Sequence, residues 1–530
     1  MRALNQSLLR SYVCPSCRSN IQRGARRAFS SNANAQTTTP DIYDVVCVGG
    51  GPAGLALVAA LRASPVTSKL RIALVEGQDL NKSRTWNLPP SSDFSNRCSS
   101  LTPTSISFLQ KIGAWKHVDS SRVQPYQEMQ VWDGQTGSKI SFDWSVDTSP
   151  FEDVRSVATM TENANLVRGL LARIQELEEE KKQDSGSLSI FSNTMVSSIE
   201  NGSKSVDGPD LSAWPVVSFS ATPSSSSPLN HTLGPIAARL LVGADGINSP
   251  VRSFADITTN GWDYQRHGVV ATLSLAEDST TATSSVSQSS SPRTAYQRFL
   301  PSLGGPIALL PLPNNKATLV WSTKIENAAY LKSLPEAAFI AMINAAFRLS
   351  MTDLNYMLSL DPSSSSSSHT TTETQHENEL NWRLQHTPQP PQIPPLVTSV
   401  QRGSTASFPL RFRHASSYIS PRIALVGDAA HVIHPLAGQG LNLGIGDVSA
   451  LANTIEYAIN HGMDIGDYLS LEPYMSARYA SNTKIGGMCD LLHKLYNVPG
   501  NGPVAMARSV GLDIIDRVPW LKGFVMKQAD

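Results

Sequence analysis

Between residues 41 and 76 the apolar positions change period twice. Tyr43 to Val48 is a continuous apolar run of strand length, and it breaks on Gly49-Gly-Gly51-Pro-Ala-Gly54. An Ala/Leu-rich stretch through Leu61 then predicts a helix, and Arg71 to Val75 predicts a second buried strand closed by Glu76. Two later apolar runs end in the same way, on glycine and aspartate: Leu240-Leu-Val-Gly-Ala-Asp245-Gly246, and Ile423 to Val426 followed by Gly427-Asp428. Asn163 to Lys182 carries helical spacing. Gln127 to Trp144 and Val269 to Thr323 contain short alternating or apolar runs, among them Val269 to Leu273, Ile307 to Leu312 and Ala317 to Trp321, which predict an antiparallel sheet. Three Ser-, Thr-, Pro- or Asn-rich intervals, 183–232, 278–292 and 362–395, read as surface insertions.

The three strand ends carry the candidate chemistry. In the first, strand, glycine turn, helix and a downstream acid stand in the order a dinucleotide site requires. Gly49 permits the turn, Gly51 lets backbone approach a pyrophosphate, Gly54 allows close helix packing, and Glu76 suits two ribose hydroxyls. The pyrophosphate would rest on the helix N-terminus. In the second, Asp245-Gly246 makes a sharp turn that brings a carboxylate to a ribityl or pyrophosphate group. In the third, Asp428 can accept hydrogen bonds from sugar-like hydroxyls. Pro435 then opens a loop in which Gly438 and Gly440 remove side-chain bulk, so that backbone N–H groups and the positive end of the following helix can face a planar ring.

Composition narrows the setting. A formal net charge of zero provides no basic field for nucleic acid. No uninterrupted apolar run reaches the ~18 residues that cross a bilayer, so membrane association is expected to be peripheral. Arg2, Arg10, Arg18, Arg23, Arg26 and Arg27 all precede the first acid, Asp41, which is a transit-peptide composition. Residues 1–40 are therefore expected to be leader and tail, cleaved near Ser30. Cys14 and Cys17 form a lone CxxC inside that leader, and no metal site is expected. His431 and His434 admit a metal, an acid/base or a loop-positioning reading; three residues apart, they lack a further ligand or orienting acid in the sequence. Arg84 and Arg97 suit cofactor phosphates, a substrate carboxylate or plain surface positions, with Arg97 favoured for the cofactor.

In order and spacing the three segments resemble the group A flavoprotein hydroxylases, from Asp41 to about Tyr479. Within that group His434-Pro-Leu-Ala-Gly-Gln-Gly-Leu-Asn-Leu-Gly-Ile-Gly-Asp447 is similar to the hydroxylases of ubiquinone biosynthesis. Arg97-Cys-Ser-Ser-Leu-Thr-Pro, Gln297-Arg-Phe-Leu-Pro301 and Ser407-Phe-Pro-Leu410 look like their eukaryotic mitochondrial members. The resemblance implies an α/β, FAD-binding Rossmann-like fold of the para-hydroxybenzoate hydroxylase type, with an antiparallel substrate-covering sheet and C-terminal helices. It implies a discontinuous FAD domain (41–126, 151–260, 400–480), a covering sheet (127–150, 261–399) and a helical end (481–530). FAD would be held by Gly49, Gly51, Gly54, Glu76, Arg97, Asp245, Gly246, Asp428, Gly440, Leu441 and Asn442, with Pro435, Gly438, Gln439 and Gly440 as the loop at the reacting ring.

The implied reaction is hydroxylation of a polyprenyl-hydroxybenzoate by O2 through a flavin hydroperoxide. The implied surroundings are a ferredoxin-type electron donor and other ubiquinone-biosynthesis proteins, on the matrix side of the mitochondrial inner membrane. Two other functions stay open on the residues alone: a NAD(P)H-dependent hydroxylase of another aromatic acid, and a flavin-bearing structural member of an assembly. The apolar run Val504 to Met526 suits either core packing or a membrane or partner surface.

Overall fold

Strand β1 (Asp41–Val48) is buried from Val45 onward because it is flanked on both sides, by β2 (Ile72–Val75) and β3 (Ile236–Gly243), in parallel register. The computed structural model describes residues 40–86, 93–143, 156–181, 183–204, 209–221, 234–276, 294–361, 374–387, 393–435 and 438–496. The short strand Ile423–Leu425 joins β3 on its far side, also parallel. Val48 pairs with Gly243, and Gly243 with Leu425, so the three chains leave the sheet side by side at one edge. That register is what gathers the motifs.

Helix α1 (Pro52–Ala63) begins with proline in its first turn and buries Gly54 through Arg62. It packs against α2 (Asn163–Glu179), whose inward face carries Leu166, Leu170, Leu171 and Ile174.

The second sheet is built on β4 (Thr259–Leu275), paired antiparallel with Lys316–Lys324 and with β5 (Ala406–Ala415). A bulge at Asp263 to His267, with Gln265 at φ +53°, bends β4. Its apolar face, including Val269, Leu273, Leu319 and Trp321, is closed by helix α3 (Glu336–Arg348), which inserts Phe339, Met342 and Phe347. Helix α4 (Gly440–Asn460) returns to α1, and α5 (Tyr468–Tyr496) runs along α4. No helix of the described residues is long and apolar enough to cross a membrane.

Several expectations change. The interval 183–232 is not one insertion: Leu188–Phe191 extends the nucleotide sheet beside β2, and Thr194–Asn201 with Pro215–Ala221 forms a hairpin joined to β3. The apolar residues Ile190, Phe191, Val196, Ile199, Val217 and Phe219, interspersed among the serines, supply the packing that overall composition hides. Likewise Gln375–His386, inside the third polar interval, is a helix secured by a capping box between Thr374 and Glu377. The second sheet is not wholly antiparallel, since Thr294–Leu300 runs parallel to Glu128–Asp133. Sheet membership also does not switch at residue 400, because β5 and His431–Val432 belong to the second sheet. The leader, 278–292 and 504–526 lie outside the described residues.

Candidate functional site

At the shared edge, Gly49 has φ +110°, and a Cβ there would stand 2.2 Å from the Ala244 carbonyl oxygen. Only glycine fits between these two strand ends. A Cβ on Gly54 would lie 1.9 Å from the Gly49 carbonyl oxygen, so α1 starts directly against the turn. Gly51 differs: nothing stands within 4 Å of its added Cβ. The first turn of α1 thus opens on space, as a pyrophosphate cradle requires. Glu76 lies across from it, its two carboxylate oxygens accepting the Gly50 and Gln78 N–H groups. Each oxygen keeps lone-pair capacity for a hydroxyl.

The next two turns present carboxylates with capacity unspent. In Asp245, Oδ2 accepts a long 3.4 Å bond from Val251 N, while Oδ1 is buried without a partner. Burial pushes this carboxyl above its ordinary range. Asp428 has no hydrogen-bond or ion-pair partner among the described residues and is open to solvent. Desolvation by the surrounding protein still raises its pKa, against the pull of His431. Two such carboxylates at the sheet edge that carries the open Gly51 turn offer acceptors that suit the hydroxyl-rich ribityl and ribose parts of FAD.

Residues absent from the expected set hold these turns together. Arg252 donates to Ala429 O at 2.7 Å and to Ile247 O at 2.6 Å, tying the second turn to the third. Asp447 is fully buried on α4, and its carboxylate accepts four bonds: from Gly427 N at 3.1 Å, His431 Nε2 at 2.6 Å, Arg478 Nε at 2.9 Å and Asn482 Nδ2 at 2.8 Å. Burial raises this carboxyl, but His431, Arg478 and Asn482 outweigh it and hold it below the ordinary range. His431 therefore anchors the turn. Arg252 and Asp447 each close a stretch of sequence notable for its glycines; a charged residue at the end of each motif was the signal.

The loop after Pro435 is described except for residues 436–437. Gly438 N donates to Pro435 O at 3.2 Å, and α4 begins at Gly440. The N–H groups of Gly440, Leu441 and Asn442 lie in the first turn, outside the helix ladder, at the positive end of a 21-residue helix. The side chain of Asn442 faces inward: Oδ1 accepts from Thr102 N and Ser105 Oγ, and Nδ2 donates to Ser100 O. Any contribution of Asn442 to a flavin is thus through its backbone. Arg97 is exposed, and its guanidinium has no partner among the described residues. Arg84 is also exposed, at the end of the short helix Leu80–Arg84. No group of three or more metal-ligating side chains occurs among the described residues.

Residues 42–467 match the FAD binding domain family. The chain is 39% identical to the mitochondrial ubiquinone biosynthesis monooxygenase COQ6 of Schizosaccharomyces pombe, covering 91% of both chains. It is 38% identical to that of Saccharomyces cerevisiae (93% and 95% covered) and 34% to that of Homo sapiens (92% of both). In fold it is similar to p-nitrophenol 4-monooxygenase from Pseudomonas putida, with TM-score 0.58 and 16% identity over 93% of this chain and 99% of that one. A probable FAD-dependent monooxygenase of Pseudomonas aeruginosa gives 0.57 and 20%, covering 89% and 99%. With its three glycine and aspartate turns brought to one sheet edge and relatives matched almost end to end, the chain belongs to the family of FAD-dependent monooxygenases of ubiquinone biosynthesis.

Proposed function

We propose that this protein hydroxylates the aromatic ring of a polyprenyl-hydroxybenzoate intermediate of ubiquinone synthesis, beside its phenolic hydroxyl. The carrying observation is the pair of unspent carboxylates, Asp245 and Asp428, flanking the open Gly51 cradle. Gly49, Gly51, Gly54 and Glu76 would hold the adenosine and pyrophosphate end, with Arg97 as the phosphate cation. Asp245, Gly246 and Asp428 receive the ribityl end. Bound FAD, once reduced, supplies the activation of O2 and the transfer of one oxygen atom to the ring.

The chain's own part is to place and enclose. Pro435, Gly438, Gln439 and Gly440 would form a wall of the ring site, and the backbone N–H groups of Gly440, Leu441 and Asn442 would stabilise negative charge on a bound flavin ring. Asp447 fixes that wall to the Gly427-Asp428 turn through His431. A phenol directs an electrophilic oxygen to the carbon beside its hydroxyl, which sets the position. We assign electron delivery to a ferredoxin-type donor. The setting is the matrix face of the inner membrane, peripherally bound among other proteins of the pathway. The mitochondrial names of the relatives and the lack of a membrane-crossing helix among the described residues support that setting.

The test is Asp428→Ala in cells lacking the native protein. Flavin-free protein and accumulation of the unhydroxylated prenylated intermediate are expected, and a precursor already carrying the missing oxygen restores quinone. Normal quinone synthesis by a verified flavin-free variant refutes the proposal.

A further inference from the structure

The match to the FAD binding domain family stops at residue 467, and helix α5 begins directly after it, at Tyr468. The buried side of α5 nevertheless reaches the third strand end. Tyr474, Arg478 and Asn482 follow one another at helical spacing and so share one side of α5. The Tyr474 hydroxyl, fully buried, donates to Leu425 O at 2.6 Å, just before the Gly427-Asp428 turn. Arg478 donates through Nε to Asp447 Oδ1 at 2.9 Å, and through Nη2 to Leu443 O at 3.3 Å and Asn482 Oδ1 at 2.8 Å. Asn482 Nδ2 donates to the same Asp447 oxygen at 2.8 Å. One guanidinium therefore grips α4 twice, at a carbonyl of its first turn and at a carboxylate of its second. Helix α4 in turn bears on the Gly427-Asp428 turn. A Cβ on Gly444 would stand 3.3 Å from the Cα of Gly427, whose N–H donates to Asp447 Oδ2. Gly446 points to nearly the opposite side of the helix, and a Cβ there would stand 2.6 Å from Nη2 and 2.9 Å from Cζ of Arg478. The two glycines let α4 lie close to the turn on one side and to the guanidinium on the other.

We propose that Arg478 is a positioning residue for the flavin ring, acting through Asp447 and the first turn of α4. The inference rests on the reading of the FAD site given above. The N–H groups of Gly440, Leu441 and Asn442 and the carboxylate of Asp428 belong to the two segments that Asp447 joins. They act together on a bound ring only while their separation is fixed. Balancing the Asp447 carboxylate needs one positive charge. Fixing α4 against it needs donors held at set angles, which a planar guanidinium offers and a lysine ammonium on its flexible stem does not. Helix α5, which lies outside the stretch matched to the FAD binding domain family, thereby becomes part of the ring site without touching the ring.

The test compares full-length Arg478→Lys, Arg478→Ala and Gly446→Ala with the parent. Gly446→Ala keeps both Arg478 and Asp447 and displaces only the guanidinium. The readouts are FAD affinity, the midpoint potential of the bound flavin, melting temperature and the ratio of hydroxylated product to hydrogen peroxide. The ratio is taken with dithionite-reduced enzyme, oxygenated buffer and a short-chain prenylated 4-hydroxybenzoate. All three variants are expected to bind FAD about tenfold more weakly. At saturating FAD their potential is expected to be more negative, since a reduced, negatively charged ring loses aligned N–H groups, and the product-to-peroxide ratio to fall about tenfold. Gly446→Ala is expected to show this at a near-parental melting temperature, because alanine's helix preference offsets the loosened ion pair. Methylguanidinium is expected to restore part of the affinity and potential to Arg478→Ala, since the parent side chain is partly open to solvent. Parental affinity and potential in Gly446→Ala and Arg478→Lys overturn the assignment. Lowered melting temperatures with a parental potential at saturating FAD assign Arg478 to stability alone and overturn it too. A parent that forms no product sinks the hydroxylase reading alone, and affinity and potential still decide for Arg478.

Discussion

Asp447 makes four hydrogen bonds from inside the protein, and no water is needed to satisfy it. Replacing it by Asn keeps the shape but removes the charge that balances Arg478 and turns two acceptor positions into a donor. Breaking a buried charged cluster this way costs about 3–5 kcal/mol, which chemical unfolding of Asp447→Asn measures as a lowered midpoint. FAD affinity is expected to fall as well, since the same carboxylate holds Gly427 N in place. At Gly51 the expected pattern is the reverse. A side chain there meets no protein atom, so Gly51→Val leaves the fold intact and excludes the cofactor. Purified Gly51→Val is expected to be colourless at a near-parental melting temperature, and a yellow, stoichiometrically loaded variant overturns the pyrophosphate assignment.

At the scale of elements, the sequence showed best what is short and local. Strand, glycine turn and helix from Asp41 to Ala63 were legible because buried runs, a helix-starting Pro52 and the required glycines agree with one another. The hairpin of Thr194–Asn201 and Pro215–Ala221 was hidden, since its apolar residues are covered by other elements, as where Phe219 meets Phe191 on the neighbouring strand. The Arg252 and Asp447 ties were hidden because each joins separate elements: Arg252 reaches Ala429 across 177 positions, and Asp447 meets Arg478 and Asn482 on another helix. Helix α5 adds a pH dependence. In an unfolded chain His434 and His493 take up protons below about 6.5, whereas in the fold burial keeps them neutral down to about 3 and about 4. Between those limits the unfolded state binds more protons, so stability falls as pH drops from 6.5 towards 4. Melting temperatures across that window are expected to decline, and the decline is expected to be shallower in a His434→Gln, His493→Gln double variant.

At the scale of the whole molecule, the FAD edge is assembled from three distant parts of one chain. Gly49 and Asp428 follow strands that flank β3 on its two sides, although roughly 380 positions separate them. Ile423–Leu425 is a three-residue strand, yet it delivers the third turn. A ribosome releases the first cradle long before the last one exists, and a chain passing through a membrane N-terminus first would present them in the same order. Flavin capture therefore requires synthesis to pass the third turn: a chain stopped at Ser420 is expected to emerge without yellow colour, however well its first strands pair, and added FAD is expected to leave its resistance to protease unchanged. Cofactor content thus separates chains that carry all three turns from those that stop short of the third.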